Sequence, residues 1–281
     1  MDGEPSWEGR ESAIPDKRNH RPALLVPQAL SDHASVRHWS LERRTVISPM
    51  PAAADLPLSI VIPTLNAGVA LPATLDSLEE ARAELLREIL VVDGGSADDT
   101  ISLARARGAR VIAGSRGRGV QLAAGGAAAS GEWLLFLHAD TRLGRGWSTA
   151  TAAFMADRAN HERAAYPRFC LDDPSRAARW IEAGVRWRCR RLALPFGDQG
   201  LLISAPLYRA LGGFRRLPLM EDVDLVRRLG RRRLAPLDAD AVTSAQRYHR
   251  DGYVLRPLRN FVCLALYFLG VPPSALLRIY G

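Results

Sequence analysis

Three short apolar runs, each cut off by polar residues, constrain the fold of this chain more than any other feature. They are Ile60 to Ile62 leading into Pro63-Thr64-Leu65-Asn66, Ile89 to Val92 ending at Asp93-Gly94-Gly95-Ser96, and Leu134 to Leu137 ending at His138-Ala139-Asp140-Thr141. A run apolar at every position fits a strand covered on both faces, as in a parallel sheet between helices. Strands of that kind set Thr64, Asn66, Asp93, His138 and Asp140 along one carboxyl edge. In open α/β sheets that edge is where ligands bind, and a polar, phosphorylated ligand is the expectation.

The segments between the runs fit the same plan. Leu71, Leu75, Leu78, Ala81 and Leu85 repeat at helical spacing, which predicts a helix from about Leu71 to Arg87. Asp98 and Asp99 open a second helix that Gly108 closes. A strand at Arg110 to Ala113 and a small-residue helix through Ser130 lead to the strand at Glu132 to Leu137. Alternating strands and helices predict an α/β fold with a mostly parallel, Rossmann-like sheet. The second half is less regular. Helices are expected at Gly146 to Arg158, from Ser175 to about Leu194, at Pro206 to Leu211 and at Glu221 to Arg232, with a short strand at Leu201 to Ser204. One or two amphipathic helices are expected from Pro257 onward. Residues 1–56 mix Pro, Arg, His, Ser and Asp with few periodic apolar positions and read as a disordered or loosely attached tail. The remainder, 57–281, reads as a single domain.

The formal charge of +8 comes almost wholly from arginine, since Lys17 is the only lysine. Arginine richness suits phosphates, acidic membrane surfaces or nucleic acid, and a GC-rich genome produces it without any function. Cys170, Cys189 and Cys263 are scattered and odd in number, which supports neither a disulfide framework nor a zinc site and fits a reducing cytoplasm. The opening MDGEPSWEGRES lacks the pattern of a secretory signal. No apolar run reaches the roughly 18 to 20 residues of a spanning helix. The nearest is Phe261 to Val271, flanked by Arg256, Arg259 and Arg278, which suits either an interfacial helix or a core helix.

Several residues carry candidate chemistry, each with a structural alternative. The turn after the first run, Pro-Thr-Leu-Asn, is not the glycine-rich turn of dinucleotide enzymes, and no Walker A pattern occurs. Asp93 before two glycines can accept hydrogen bonds from a ribose or a base, or simply fold an Asx turn. His138 and Asp140 share a face if the strand continues, and a carboxylate there can hold Mg²⁺ or Mn²⁺ beside a diphosphate or cap the next turn. Glu221, Asp222 and Asp224 suit the start of a helix. Glu221 and Asp224 share one face, so Asp222 points elsewhere. Arg176, Arg179, Arg186, Arg188, Arg190 and Arg191 read as an acidic-acceptor site, a phospholipid-facing surface or a solvated helix face.

The segments IVIPTLN, VVDGGSADDT, GRGVQLAAG, LLFLHADT, GDQG and MEDVDL, in this order and spacing, resemble the family-2 glycosyltransferases of the GT-A fold. More narrowly they resemble a bacterial subgroup, the radical-SAM-associated transferase 2 family, with HAD in place of the usual D-x-D. The resemblance runs from about Leu58 to the carboxyl terminus. It implies a nucleotide-sugar-binding half at 57–141, and an acceptor half with carboxyl-terminal helices at 142–281. Donor contacts are implied at Pro63, Thr64, Asn66, Asp93, Arg118, Gln121 and Asp140. Asp140, with His138, is the implied Mg²⁺ or Mn²⁺ site, Asp222 the general base, and Asp198, Gln199 and Glu221 the acceptor side.

The implied activity is inverting transfer of a single sugar from a nucleoside diphosphate sugar to a hydroxyl of a lipid or small molecule. The implied setting is the cytoplasm, with contact to the inner membrane face left open and no nucleic-acid partner expected. Ala67 and Ala124 depart from the pattern, as does His138 in place of an aspartate. Two competing readings remain: a nucleotidyltransferase on a similar sheet, for which PTLNAGVAL is a poor match, and a catalytically weakened nucleotide- or membrane-binding protein.

Overall fold

The computed structural model describes residues 57–280; the expected tail at 1–56 lies outside the described residues. Strand β1 (Leu58–Thr64) is flanked in parallel by β2 (Leu86–Asp93) and β4 (Trp133–Phe136), and β3 (Arg110–Ala113) lies parallel on the far side of β2. Side chains alternate between two cores, as strand geometry requires. Leu58, Ile60, Ile62, Ile89, Val91, Trp133 and Leu135 enter one core, while Val61, Leu90, Val92, Leu134 and Phe136 enter the other. Burial on both faces is why these runs are apolar at nearly every position. Thr64 pairs in register with Asp93, so the polar residues after each run reach the same edge.

Helix α1 (Leu71–Asp76) is much shorter than the spacing predicts. Leu71, Leu75, Leu78, Ala81 and Leu85 are all buried, so the periodicity reports the core side correctly. The helix breaks where tertiary contacts capture Ser77: its hydroxyl accepts from Leu143 N at 3.1 Å, and its carbonyl accepts from Trp147 Nε1 at 3.0 Å. A 3-10 turn at Glu79–Ala81 follows, and β2 begins several residues earlier than expected. Helices α2 (Thr100–Ala106) and α3 (Arg118–Ala128) complete the first half. Small residues in α3 allow close approach to the sheet. A Cβ on Gly125 would collide with Val61 Cγ1 and stand 2.9 Å from Val92 Cγ2.

The second half adds β5 (Thr141–Leu143), β6 (Ala164–Leu171), β7 (Leu201–Ser204) and β8 (Leu234–Thr243). The sheet order is β3-β2-β1-β4-β7-β6-β8-β5. Pairings β4–β7, β6–β7 and β5–β8 are antiparallel and β6–β8 is parallel, which makes this half mixed. Of these strands only β7 is expected from the sequence. Helices α4 (Trp147–Ala156), α5 (Arg176–Leu192), α6 (Ala205–Ala210), α7 (Glu221–Leu229), α8 (Gln246–Asp251), α9 (Leu255–Phe268) and α10 (Pro273–Tyr280) surround it. Ser175 caps α5 by accepting from Ala178 N, as its position predicts. Val223 and Val226 of α7 pack with Cys263 and Leu264 of α9 and Leu276 of α10, which brings the last two helices against the helix of the acidic triplet.

Candidate active site

An open groove of about 730 Å³ runs along the carboxyl ends of β1 and β4. Pro63, Thr64, Asn66 and Ala67 line it on one side, Arg116 to Arg118 and Gln121 on a second, and His138, Asp140, Ser244 and Arg247 on a third. Its size matches small-molecule and cofactor pockets. A smaller cavity adjoins it and shares Arg118, His138, Asp140 and Arg247, adding Asp198, Asp222, Tyr248, Arg256, Asn260 and Tyr280. The arrangement is a donor-sized groove opening onto a carboxylate-lined chamber.

Asp93 sits behind the groove, not in it. Its Oδ1 accepts from Thr64 Oγ1 at 3.1 Å and from Ser96 Oγ, and its Oδ2 accepts from Gly95 N at 2.9 Å and Ser96 N at 2.8 Å. Burial opposes its charge, but the Ser96, Gly95 and Thr64 donors outweigh it and hold the carboxyl below its ordinary range. These Gly95 and Ser96 contacts are those of the Asx-turn alternative, and a base N–H reaches Asp93 only by displacing one of the donors. Asn66 adopts φ 49°, a left-handed conformation that asparagine tolerates. Its Oδ1 accepts from Ala97 N at 2.9 Å, and its own N–H donates to Ser96 Oγ at 2.8 Å. The two loops are thus stitched together beneath the groove.

Gln121 is also a brace. Its Nε2 donates to Thr64 O at 2.6 Å and Val92 O at 2.8 Å, tying the ends of β1 and β2. Its amide nitrogen is therefore committed to the backbone and not to a diphosphate. Arg118, like Arg247, is a cation shared by groove and chamber. It forms an ion pair with Glu221, which is 1% exposed, and its Nη2 lies 3.7 Å from Asp222 Oδ2. Burial opposes the guanidinium charge, yet Glu221 and Asp222 raise its pKa well above the ordinary value. Glu221 is pushed up by burial against the pull of Arg118, and its Oε2 is buried without a hydrogen-bond partner.

The acidic triplet divides its work. Met220 before it takes a left-handed φ of 63° and turns the chain into α7. Asp224 turns away to Arg215 and Arg228. Asp222 faces the chamber, its Oδ2 accepting from Gly197 N at 2.8 Å and its Oδ1 from Val223 N at 2.8 Å. The Gly197–Gln199 turn brings Asp198 to the same chamber, where its Oδ1 has no partner and burial pushes its carboxyl up. Gln199 points the other way. Its Nε2 donates to Pro167 O at 3.0 Å and its Oε1 accepts from Cys189 Sγ at 3.2 Å, which places it under β6 and removes it from the acceptor side.

His138 and Asp140 converge on the groove through the turn that follows β4, which ends at Phe136. Burial and then the charge of Arg118 lower the His138 pKa to about 4, so the imidazole is neutral at pH 7, and its Nε2 is buried without a partner. Asp140 Oδ2 meets Arg247 Nη2 at 3.3 Å. Among the described residues no group of three or more His, Cys, Asp and Glu side chains forms a metal cage. A neutral imidazole with a free lone pair beside one carboxylate suits a divalent ion whose other ligands come from phosphate and water.

Arg247, Tyr248, Arg256 and Tyr280 are chamber residues not singled out for the site from sequence. Burial pushes the Tyr248 phenol up to about 12, with Asp198 adding to it, so it stays protonated. Arg247 and Tyr248 lie on α8 and Arg256 on α9, so they reach the chamber through the packing of these helices.

Residues 59–194 match the family model described as glycosyl transferase family 2. A PGL/p-HBAD biosynthesis glycosyltransferase of Mycobacterium tuberculosis is 40% identical over a stretch covering 30% of this chain and 36% of the relative. Glucosyl-3-phosphoglycerate synthase of M. tuberculosis is 34% identical over 36% of this chain and 34% of the relative. The chain thus spans about a third of the length of the curated relatives it matches. Among solved structures, that synthase in complex with Mg²⁺ and uridine diphosphate superposes with a TM-score of 0.51 at 22% identity, covering 68% of this chain and 72% of that one. TarS of S. aureus superposes with a TM-score of 0.52 at 16% identity, covering 80% of this chain and 42% of that one. At these identities the structural likeness is one of fold, and the fold is the GT-A fold expected from the resemblance.

Proposed function

We propose that this chain is an inverting family-2 glycosyltransferase that moves one sugar from a nucleoside diphosphate sugar to an acceptor hydroxyl, with residues 57–281 as its catalytic domain. The observation that carries the reading is the junction of the two spaces: Arg118, His138 and Asp140 line both the groove and the chamber that holds Asp222 and Asp198. A donor lying in the groove would present its anomeric carbon at that junction.

In this reading Pro63, Thr64 and Asn66 form the donor floor, held in shape by Asp93 and Gln121. Asp140 and His138 would hold Mg²⁺ or Mn²⁺, the ions that the resemblance implies. When bound, that ion offsets the charge of the diphosphate as it leaves. Arg118 adds a fixed positive charge at the same place, and Glu221 orients it. Asp222, fixed by two backbone N–H groups, takes the acceptor proton as the acceptor oxygen bonds to the anomeric carbon. The bond from that carbon to the diphosphate oxygen breaks on the opposite face, so configuration inverts. Asp198 and protonated Tyr248 line the acceptor side of the chamber. The three free cysteines and the use of a sugar nucleotide suit the cytoplasm.

The test is turnover of a panel of sugar nucleotides, measured as release of nucleoside diphosphate. Asp222→Asn is expected to lower turnover by roughly 100-fold or more with donor affinity unchanged, the contribution of a positioned base. If Asp198→Asn stops turnover and Asp222→Asn does not, the base is assigned to the wrong carboxylate.

A further inference from the structure

The helices that wall the chamber have a second side. α9 and α10 anchor inward through Cys263, Leu264 and Leu276, all buried, and send Arg256, Asn260 and Tyr280 to the chamber. The sequence offers Phe261, Leu264, Tyr267 and Phe268 as one apolar face, and the structure divides it. Leu264 is buried and Tyr267 packs beside it, whereas Phe261 is 66% and Phe268 47% exposed. Leu255 and Leu258 continue the outer stripe at 69% and 54% exposure, and Ile279 of α10 joins it at 44%. Spacings of three and four residues among Leu255, Leu258, Phe261 and Val262, and of seven from Phe261 to Phe268, set them on one side of α9.

Large apolar side chains clustered in this way differ from the scattered exposed residues of ordinary surfaces. Leu255, Leu258, Val262 and Ile279 line a surface groove with Arg256, Arg259 and Asp251, whose single carboxylate pairs with both arginines and leaves an excess of positive charge, and Arg256 borders the chamber as well. Arg227 stands over the rings of Tyr267 and Phe268 at 5.7 and 4.8 Å, and Arg278 is exposed on α10. An apolar stripe rimmed by arginines is complementary to an anionic lipid interface. No described helix is long and apolar enough to cross a membrane, so this face can rest on a bilayer without spanning it.

We infer that the outer face of α9 and α10 docks on an anionic phospholipid bilayer and sets the mouth of the chamber at the interface, so that the acceptor hydroxyl is carried by a lipid. This deepens the proposed function and rests on reading the chamber as the acceptor site. Arg256 and Tyr280 then stand between bilayer and carboxylates, where a lipid head enters while its hydrocarbon stays in the membrane.

The experiment is co-sedimentation of the full chain with phosphatidylcholine vesicles, with and without phosphatidylglycerol, at low and high salt, alongside calorimetry of uridine diphosphate with Mn²⁺. Wild type is expected to bind the anionic vesicles and to leave them at high salt. The Leu258→Glu/Phe261→Glu variant, changed only at exposed positions, should lose at least about tenfold in vesicle partitioning and keep its nucleotide affinity. Hydrogen exchange on vesicles should slow at Leu255 to Val262 and at Ser274 to Tyr280, including the chamber residues among them. Absence of vesicle binding at low salt, or binding unaffected by the variant, overturns docking. A dimer in light scattering that the double variant dissolves, without vesicle binding, assigns the face to a second copy of the chain. Protection confined to Leu255, Leu258 and Val262, with Asn260 and Tyr280 exchanging as in solution, overturns the lipid-borne acceptor. Loss of nucleotide binding with docking intact would instead sink the glycosyltransferase reading alone.

Discussion

Replacing Arg118 by alanine should destabilise the fold as well as the reaction, and the structure sets the scale. Glu221 is 1% exposed and pairs with Arg118, so the substitution strands a buried carboxylate. The second pair, Arg118 to Asp222 at 3.7 Å, is worth about 4.5 kcal/mol at an effective dielectric constant of about 20, before desolvation is subtracted. Arg118 is itself 32% exposed, so water recovers part of the loss. Breaking buried pairs costs about 3 to 5 kcal/mol, and the lower end, about 3 kcal/mol, is expected here. Adding Glu221→Gln removes the stranded charge and should restore about 2 kcal/mol.

The effect also carries a pH signature. Burial already raises the Glu221 carboxyl in the folded state, and loss of Arg118 removes a pull in the other direction. The folded state then binds more protons than the unfolded state between the two pKa values, so stability falls as pH rises through the folded value. The gap between wild type and Arg118→Ala should therefore narrow from pH 7 to pH 5. Urea melts of wild type, both single variants and the double variant at these two pH values measure all of this. A double variant no more stable than Arg118→Ala, with the same gap at both pH values, would refute the reasoning.

Other outcomes follow from the same contacts. Asp93→Ala should weaken nucleotide binding by about 1 to 3 kcal/mol by loosening the loop it holds, and speed amide exchange at Gly95 and Ser96; unchanged exchange would show that the four hydrogen bonds do not brace it. Gly125→Ala should cost about 1 to 3 kcal/mol in thermal melts, because its Cβ has no room beside Val61 and Val92. Gly184→Ala, in the middle of α5 with nothing within 4 Å of the added Cβ, should instead stabilise by about 0.5 to 1 kcal/mol. Equal effects at the two glycines would contradict the packing described for α3.

The first half of the fold was legible because β1, β2 and β4 are buried on both faces and therefore announce themselves as apolar runs. β8 was also available to a stricter reading: Ala235, Leu237, Ala239, Ala241 and Thr243 are buried in strict alternation, but alanine makes a faint signal. β6 carries Pro167, which argues against a strand, and is tolerated where the β6–β8 register shifts between Tyr166 and Arg168. In the site, the resemblance names Asp140, Asp222 and Asp198, and the three line one cavity. Sequence could not tell which polar residues face the ligand and which face the backbone. Asp93 combines the local Asx turn to Gly95 and Ser96 with Thr64, 29 residues away, Gln121 binds backbone 29 and 57 residues away, and Gln199 follows its turn beneath β6. Arg247 and Arg256 reach the chamber only because α8 and α9 fold back over it, a tertiary event with no local pattern.

The most direct test of the donor and metal assignment is a thermal-shift screen of nucleoside diphosphate sugars with Mn²⁺ and with EDTA, on wild type and Asp140→Asn. At least one sugar nucleotide is expected to raise the melting temperature of wild type with Mn²⁺ and to lose most of that shift in EDTA or in the variant. No shift with any sugar nucleotide in a folded wild-type protein, or a full shift in EDTA that Asp140→Asn leaves untouched, would contradict the site as built from these residues.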